Sequence, residues 1–187
     1  TRLLRLSQLT GGFLCEDGSN HPTQVDSTKL TALADIVDSA AQDGKKIVII
    51  ARFLPEIAAI TRMLEKKAIG YSLISGDIRD RDEQVRRFQT DPDTTVFVGQ
   101  IATAGLGITL TAADTMVFYS LDYSMSNFEQ AKARIHRVGQ RNPCTYLYLV
   151  ASNTVDEKVL QALRDKADLA RVLIDDYRAG RNPFQNS

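Results

Sequence analysis

The stretch QAKARIHRVGQ, residues 130–140, spaces Arg134 and Arg137 one helical turn apart and sets them between Gln130 and Gln140. At about 100° per residue, Gln130, Arg134 and Arg137 fall on one face of a helix, while Phe128, Ala131, Ile135 and Val138 fall on another. The pattern predicts a helix anchored by its apolar face, with planar donors on the other side. A guanidinium fork engages two phosphate oxygens at once, which a lysine cannot do. The competing reading is a solvated stripe. Against it stand the choice of arginine and the run into Gly139-Gln140 instead of acidic partners. His136 suits either a donor near phosphate or a structural helix histidine.

A second candidate follows an apolar run. In TAGLGITLTAAD, residues 103–114, Gly105 and Gly107 are spaced either for ordinary turn chemistry or to expose main-chain amides to an anion. It is not a Walker A loop: no Gly-Lys-Thr or Gly-Lys-Ser occurs, and Gly44-Lys45-Lys46 precedes a strand pattern instead of following one. There is no Asp-Glu-x-His box either. Cys15 and Cys144, with only His21 and His136 as further soft ligands and no C-x-x-C, suggest neither a disulfide scaffold nor a metal site. Cys144 is expected to be a buried core residue.

The elements that would carry these residues alternate. Leu30, Leu33, Val37 and Ala40 repeat at helical spacing until Gly44, and KIVIIA then reads as a buried strand. Pro55 opens the next helix, striped by Ile57, Ile60 and Leu64, and Gly70 stops it before YSLIS. A charged helix near residues 80–89 offers Val85 and Phe88; TVFVG, TMVFYSL and TYLYLVA supply three more strands. Ser126-x-x-Glu129 and Thr154-x-x-Glu157 fit the capping box and mark helix starts. Nearly continuous apolar strands separated by amphipathic helices predict an α/β fold, an open parallel sheet with helices on both faces. Ligands then gather beyond the strands' carboxyl ends, at the loops after residues 51, 75, 99 and 121. Residues 11–24 and the tail after Gly180 read as linker.

The 187 residues, 43% hydrophobic and 25% charged, suit one globular domain. Its 23 basic and 23 acidic side chains balance, so any phosphate recognition must be local. No stretch reaches the roughly 20 apolar residues that span a bilayer and no signal-peptide pattern opens the chain, so an intracellular protein is expected, cytoplasmic or nuclear according to source. A start at Thr1 instead of Met is expected of a piece of a longer protein.

In order, DSTKLTALADIV with GKKIVIIARF, YSLISGDIRDRDEQVRRF, TAGLGITLTAADTMVFYSLD and QAKARIHRVGQ resemble the motifs of the second RecA-like lobe of Swi/Snf-type DNA-dependent ATPases, within helicase superfamily two. The resemblance covers residues 27–155, and TRLLRLSQLTGGF is similar to the segment leading into that lobe. The ending Arg-x-His-Arg-x-Gly-Gln is specific, since strand-separating relatives usually close this motif with Gly-Arg. The resemblance implies a three-layer RecA-like domain at 26–180, a lead-in and linker at 1–25 and a tail at 181–187.

It also implies a division of labour with a first lobe, which would carry the phosphate-gripping lysine and the carboxylates that hold Mg²⁺. This lobe would supply arginine fingers to ATP, Arg137 first and Arg134 second, with Gln130, Gly105 and Gly107 facing the nucleotide. Ser75, Gly76, Arg81, Thr103 and Ala104 match positions that meet the backbone of double-stranded DNA. Arg79, Arg81, Arg86 and Arg87 form either a basic patch or, with Asp80, Asp82 and Glu83 interleaved, a salt-bridged solvated face. Departures include Leu106 for the second glycine, Thr109 for the common Asn, Tyr123 for a frequent Trp, and a short stretch from Gly76 to Arg81. Several resemble the branch that includes annealing helicases. The implied function is an ATP-driven translocase on duplex DNA; a strand-separating helicase and a non-catalytic interaction lobe are the alternatives. Purified alone with duplex DNA, the chain is predicted not to hydrolyse ATP, because the Walker A lysine and metal carboxylates are missing from it. Turnover that copurifies with the chain itself would contradict the two-lobe reading.

Overall fold

The computed structural model describes residues 2–14, 22–76 and 80–178. Its centre is a five-stranded sheet of β3 (Ile47–Ala51), β4 (Gly70–Ile74), β5 (Thr94–Gln100), β6 (Thr115–Phe118) and β7 (Thr145–Tyr148), in the spatial order β4-β5-β3-β6-β7. Every pairing is parallel. All five residues of β3 are buried, as expected of a central strand covered on both faces.

Because strand side chains alternate, the two faces sort cleanly. Val48, Ile50, Phe97, Met116 and Phe118 pack against Phe88 of α4 (Arg81–Thr90), Phe128 of α5 (Met125–Lys132) and Val155, Val159 and Leu163 of α6 (Val155–Arg178). Ile47, Ile49, Val96, Val98 and Val117 pack against Leu33 and Val37 of α2 (Thr28–Gln42) and Ile57, Ile60 and Leu64 of α3 (Leu54–Lys66). The expected three-layer α/β architecture is present, with all five strands where the apolar runs predict them.

Helix starts differ in detail. Pro55 stands in the first turn of α3 as expected. The cap of α5 is Ser124, not Ser126: its Oγ accepts from Asn127 N at 3.2 Å, and its own N–H is fixed by Asp122. Thr154 does cap α6, but through Asp156 N, and it is the Asp156 carboxylate, not Glu157, that reaches back to Ala151 N.

The first residues are more ordered than a linker. Arg2–Thr10 form α1, and β1 (Phe13–Leu14) pairs antiparallel with β2 (Thr23–Gln24), within the stretch read as linker. Gly12 (φ 91°) turns the chain where a Cβ would meet Asp26 O at 2.5 Å, which only glycine satisfies. Thr10 Oγ1 donates to Asp156 at 2.8 Å, Lys29 Nζ pairs with the same carboxylate, and Tyr119 Oη donates to Gly11 O.

Glu56 is fully buried. Its Oε2 accepts from Ser120 Oγ (2.5 Å), Arg52 N (3.2 Å) and Phe53 N (3.1 Å), whereas its Oε1 is buried without a partner. Gly11 lies against that oxygen so closely that a Cβ would stand 2.0 Å away. Burial pushes the carboxyl from 4.5 up to about 7, with the Ser120 bond opposing the rise. Between those two values the folded state holds a proton that the unfolded chain has released, so stability falls as pH rises through the window and levels above it. Glu56→Gln keeps a carbonyl acceptor and cannot ionise. In urea unfolding at pH 5 to 8, its stability relative to the parent should improve with pH by on the order of 2 kcal/mol. A difference independent of pH would contradict the assignment.

Candidate phosphate and nucleic-acid site

The candidate residues gather at the carboxyl ends of β4 and β5. After β5 the chain enters a 3₁₀ helix, Ile101–Leu106, closed by Gly107 at φ 70°. Thr103 Oγ1 donates to Gln100 O at 2.6 Å, fixing the first turn. Ala104 and Gly105 are placed by that backbone; the side chains of 104–106 lie outside the described residues. Gly107 is exposed, with open space where a side chain would project.

Both arginines reach this turn. Arg137 Nη1 donates to Gly107 O at 2.9 Å and to Ile108 O at 3.4 Å, and Arg134 Nη1 approaches Ile108 O at 3.5 Å. They do not do so from a continuous helix. α5 ends at Lys132, Ala133–Gly139 form turns, and Val138, expected on the apolar face, is 99% exposed. The main chain explains the break. Arg134 O accepts from Leu110 N at 2.9 Å, and Ile135 O, which a helix would offer to Gly139 N, accepts from the Gln140 side chain at 3.2 Å. Two rungs of the ladder are diverted, and Gly139 takes φ 101° to leave.

Gln140 does more than end a motif. Its Nε2 also donates to Ala113 O at 2.7 Å, and its Oε1 accepts from Arg141 N and Asn142 N. One amide thereby ties the arginine turn to the loop that follows Gly107. Sequence reasoning used Gln140 only to choose a subfamily; its use as a brace depends on carbonyls far away in the chain.

Electrostatically the arginines are unusual. Burial lowers the affinity of Arg134 for its proton, and the neighbouring Arg137 charge lowers it further. Arg134 Nε is buried without a partner, and no ion pair to either guanidinium occurs among the described residues. Two like charges side by side, bonded only to carbonyls and with donors to spare, suit an oxyanion.

The other candidates divide. At the end of β4, Gly76 N donates to Gln100 Oε1 at 3.3 Å and Gly76 O accepts from Arg81 Nη2 at 3.4 Å, so Gly76 and Arg81 meet; Ser75 precedes them, half-buried. Gln130 instead donates to Ser126 Oγ, four residues back. Arg86 is held by Glu83 in an exposed bidentate pair, which is the solvated-face reading for that residue; Arg79 lies outside the described residues. His136 is exposed beside Lys132 and Tyr146 at another hollow. Cys144 is half-buried at the edge of the core and not within it, and burial pushes its thiol up. Among the described residues no His/Cys/Asp/Glu group could hold a metal and no helix is long and apolar enough to cross a membrane. A hollow of about 650 Å³ lies elsewhere, lined mainly by apolar groups such as Leu9, Val25 and Leu149, and contains none of the arginines.

Residues 28–139 match the family described as helicase conserved C-terminal domain. The chromatin-remodeling ATPase INO80 of Cryptococcus neoformans (strain B-3501A) is 36% identical over 152 residues, covering 80% of this chain and 9% of the relative. The human INO80 is 32% identical over 151 residues, covering 80% and 10%, and the human lymphoid-specific helicase 29% over 176 residues, covering 83% and 21%. The chain thus spans a tenth to a fifth of these relatives' lengths. The crystal structure of the C-terminal part of the Fun30 ATPase domain superposes with a TM-score of 0.67 at 22% identity, over 72% of this chain and 44% of that one, and shares the fold. With the motif order, the three-layer sheet and these matches in agreement, the chain belongs to the helicase conserved C-terminal domain family, as the second RecA-like lobe of a Swi/Snf-type ATPase.

Proposed function

We propose that this lobe completes the ATPase site of a translocase on double-stranded DNA, donating Arg137 as the principal arginine finger and Arg134 as its neighbour. The carrying observation is the pair of guanidiniums held at Gly107 and Ile108 by carbonyls alone, with Arg134 Nε buried and unpartnered. That the INO80 relatives are chromatin-remodeling ATPases supports ATP as the nucleotide. ATP, with Mg²⁺ held by the companion lobe, supplies the transferable phosphoryl group. Arg137 binds and orients oxygens of that group and offsets the charge that develops on them, which in phosphoryl-transfer enzymes is worth about 10³ to 10⁵ in rate. Arg134, more buried, holds the adjacent position. Gly105 and Gly107 let the backbone approach the nucleotide, whereas Gln130, bonded to Ser126 Oγ, takes no part in holding it here.

Ser75, Gly76, Arg81, Thr103 and Ala104 meet the DNA backbone in this reading. Main-chain groups, hydroxyls and one arginine carry no base code, so binding is indifferent to sequence and weakens with salt. The zero net charge is compatible with a contact this local.

In the complete two-lobe protein, Arg137→Ala should leave the fold and duplex binding intact while lowering DNA-stimulated turnover at least about a hundredfold. Arg137→Lys should recover little, because the charge survives and the planar fork does not. Arg134→Ala should also impair turnover, and the double variant should cost less than the two single losses combined. Parent-like turnover by a folded Arg137→Ala protein would return these arginines to ordinary surface.

Gln140→Ala should act at one remove. Freeing the arginine turn from Ala113 and Ile135 should lower turnover about tenfold or more with Arg134 and Arg137 still present. Gln140→Glu should do no better, since a carboxylate accepts from Arg141 N and Asn142 N but repels the two carbonyls. Full activity in Gln140→Glu would show that the carbonyl bonds are dispensable.

A further inference from the structure

Gln100, the last residue of β5, occupies a position that none of the motifs above assigns. Its side chain joins the ends of three neighbouring strands. Ala51 is its register partner on β3, and its Nε2 donates to the next carbonyl, Arg52 O, at 3.2 Å. On the other side its Oε1 accepts from Gly76 N, beyond β4, at 3.3 Å. Its main-chain carbonyl receives Thr103 Oγ1 at 2.6 Å. Gln100 therefore touches both turns for which the proposed function needs DNA contacts, the one at Gly76 and the one at Thr103.

Its acceptor on the β3 side is well anchored. Arg52 N donates to Ser120 Oγ at 2.8 Å and to buried Glu56, so Arg52 O is a rigid point. Gly76 is not anchored in that way. It is exposed, stands at φ 48°, has open space around its missing Cβ, and is otherwise held by the longer Arg81 bond at 3.4 Å. The amide of Gln100 thus links the well-bonded end of β3 to the sparsely bonded Gly76 across one strand.

We propose that Gln100 is a positioning residue for DNA, holding the Gly76 turn in step with the Thr103–Gly107 turn so that both meet one backbone track. The inference rests on the proposed function, because it presumes that both turns face duplex. Gln100 donates and accepts through one planar group, so the two bonds stand or fall together: turning the amide toward Arg52 also sets its oxygen toward Gly76. Losing it leaves Gly76 N without a protein acceptor, and the turn free to adopt other conformations that duplex must then select against.

The test uses the complete two-lobe protein and Gln100→Met, which keeps length and volume but neither bond. The half-saturating duplex concentration for stimulated ATP turnover should rise about fivefold to tenfold, with turnover at saturating duplex within about twofold of the parent. A purely structural role would lower the saturated rate or the melting temperature with no such split, and that result, or an unchanged half-saturation, overturns the proposal. Amide exchange in the parent gives a second arm that needs no variant. Peptides containing Gly76 and Thr103 should gain protection at the same duplex midpoint; separate midpoints overturn the coupling. A parent that shows no duplex stimulation at all would sink the proposed function itself, whereas a stimulated parent with an indifferent Gln100→Met sinks only this assignment.

Discussion

Arg137 and Arg134 meet at the carbonyl of Ile108, with Arg137 also on that of Gly107, and the remainder of the candidate site is arranged around keeping them there. A carbonyl can hold a guanidinium in place but cannot neutralise it. Two such groups together repel each other, and the burial of Arg134 adds to the cost. The arrangement persists because the surrounding structure fixes it: Leu110 N takes Arg134 O, Gln140 takes Ile135 O and Ala113 O, and Phe128, Ala131 and Ile135 seat the segment in the core. An arginine with a carboxylate partner would be more stable and less available. The proposed role as a finger explains why the chain tolerates the unpaired form.

The sheet order decides which turns can cooperate. Because β5 lies between β4 and β3, the Gly76 turn, the 3₁₀ helix and the end of β3 come out side by side, although they are separated by more than twenty residues in the chain. Gln100 spans them. β6 and β7 complete the other half, and there Tyr119, just after β6, and Asp156, in the first turn of α6, bond Gly11 and Thr10 of the lead-in. A polar path therefore runs from Thr10 through Asp156 and Lys29 to the carbonyl of Tyr119, and on through its neighbour Ser120 to Glu56 and Arg52. It ends at the same strand edge as Gln100.

Much of the fold was legible in the sequence because its signals are local. The run IVIIA is short, β-branched and preceded by Gly44, which favours a doubly covered strand, and Pro55 ahead of an apolar stripe marks a helix start. The errors arose where distant groups decide. Arginine spacing implied a helix through residue 138, but Leu110 and the Gln140 side chain take the carbonyls that the helix needed. Ser126 and Glu129 matched the capping pattern, yet Asp122 and Ser124 fix the chain earlier. The β1–β2 pair was hidden because two-residue strands have no periodicity to read. For the site, the types and order of the arginines and glycines were legible, while Gln100 and Gln140 were not: a glutamine's neighbours declare its role only once the sheet is assembled.

The most direct measurement of the central claim is a structure of the complete two-lobe protein with duplex DNA and ADP bound with a fluoride mimic of the transferring phosphoryl group. The Arg137 guanidinium should leave Gly107 O and lie about 3 Å from the mimic's equatorial atoms, with Arg134 beside it. Arg137 still bonded to Gly107 O, with the mimic contacted by other groups, would contradict it.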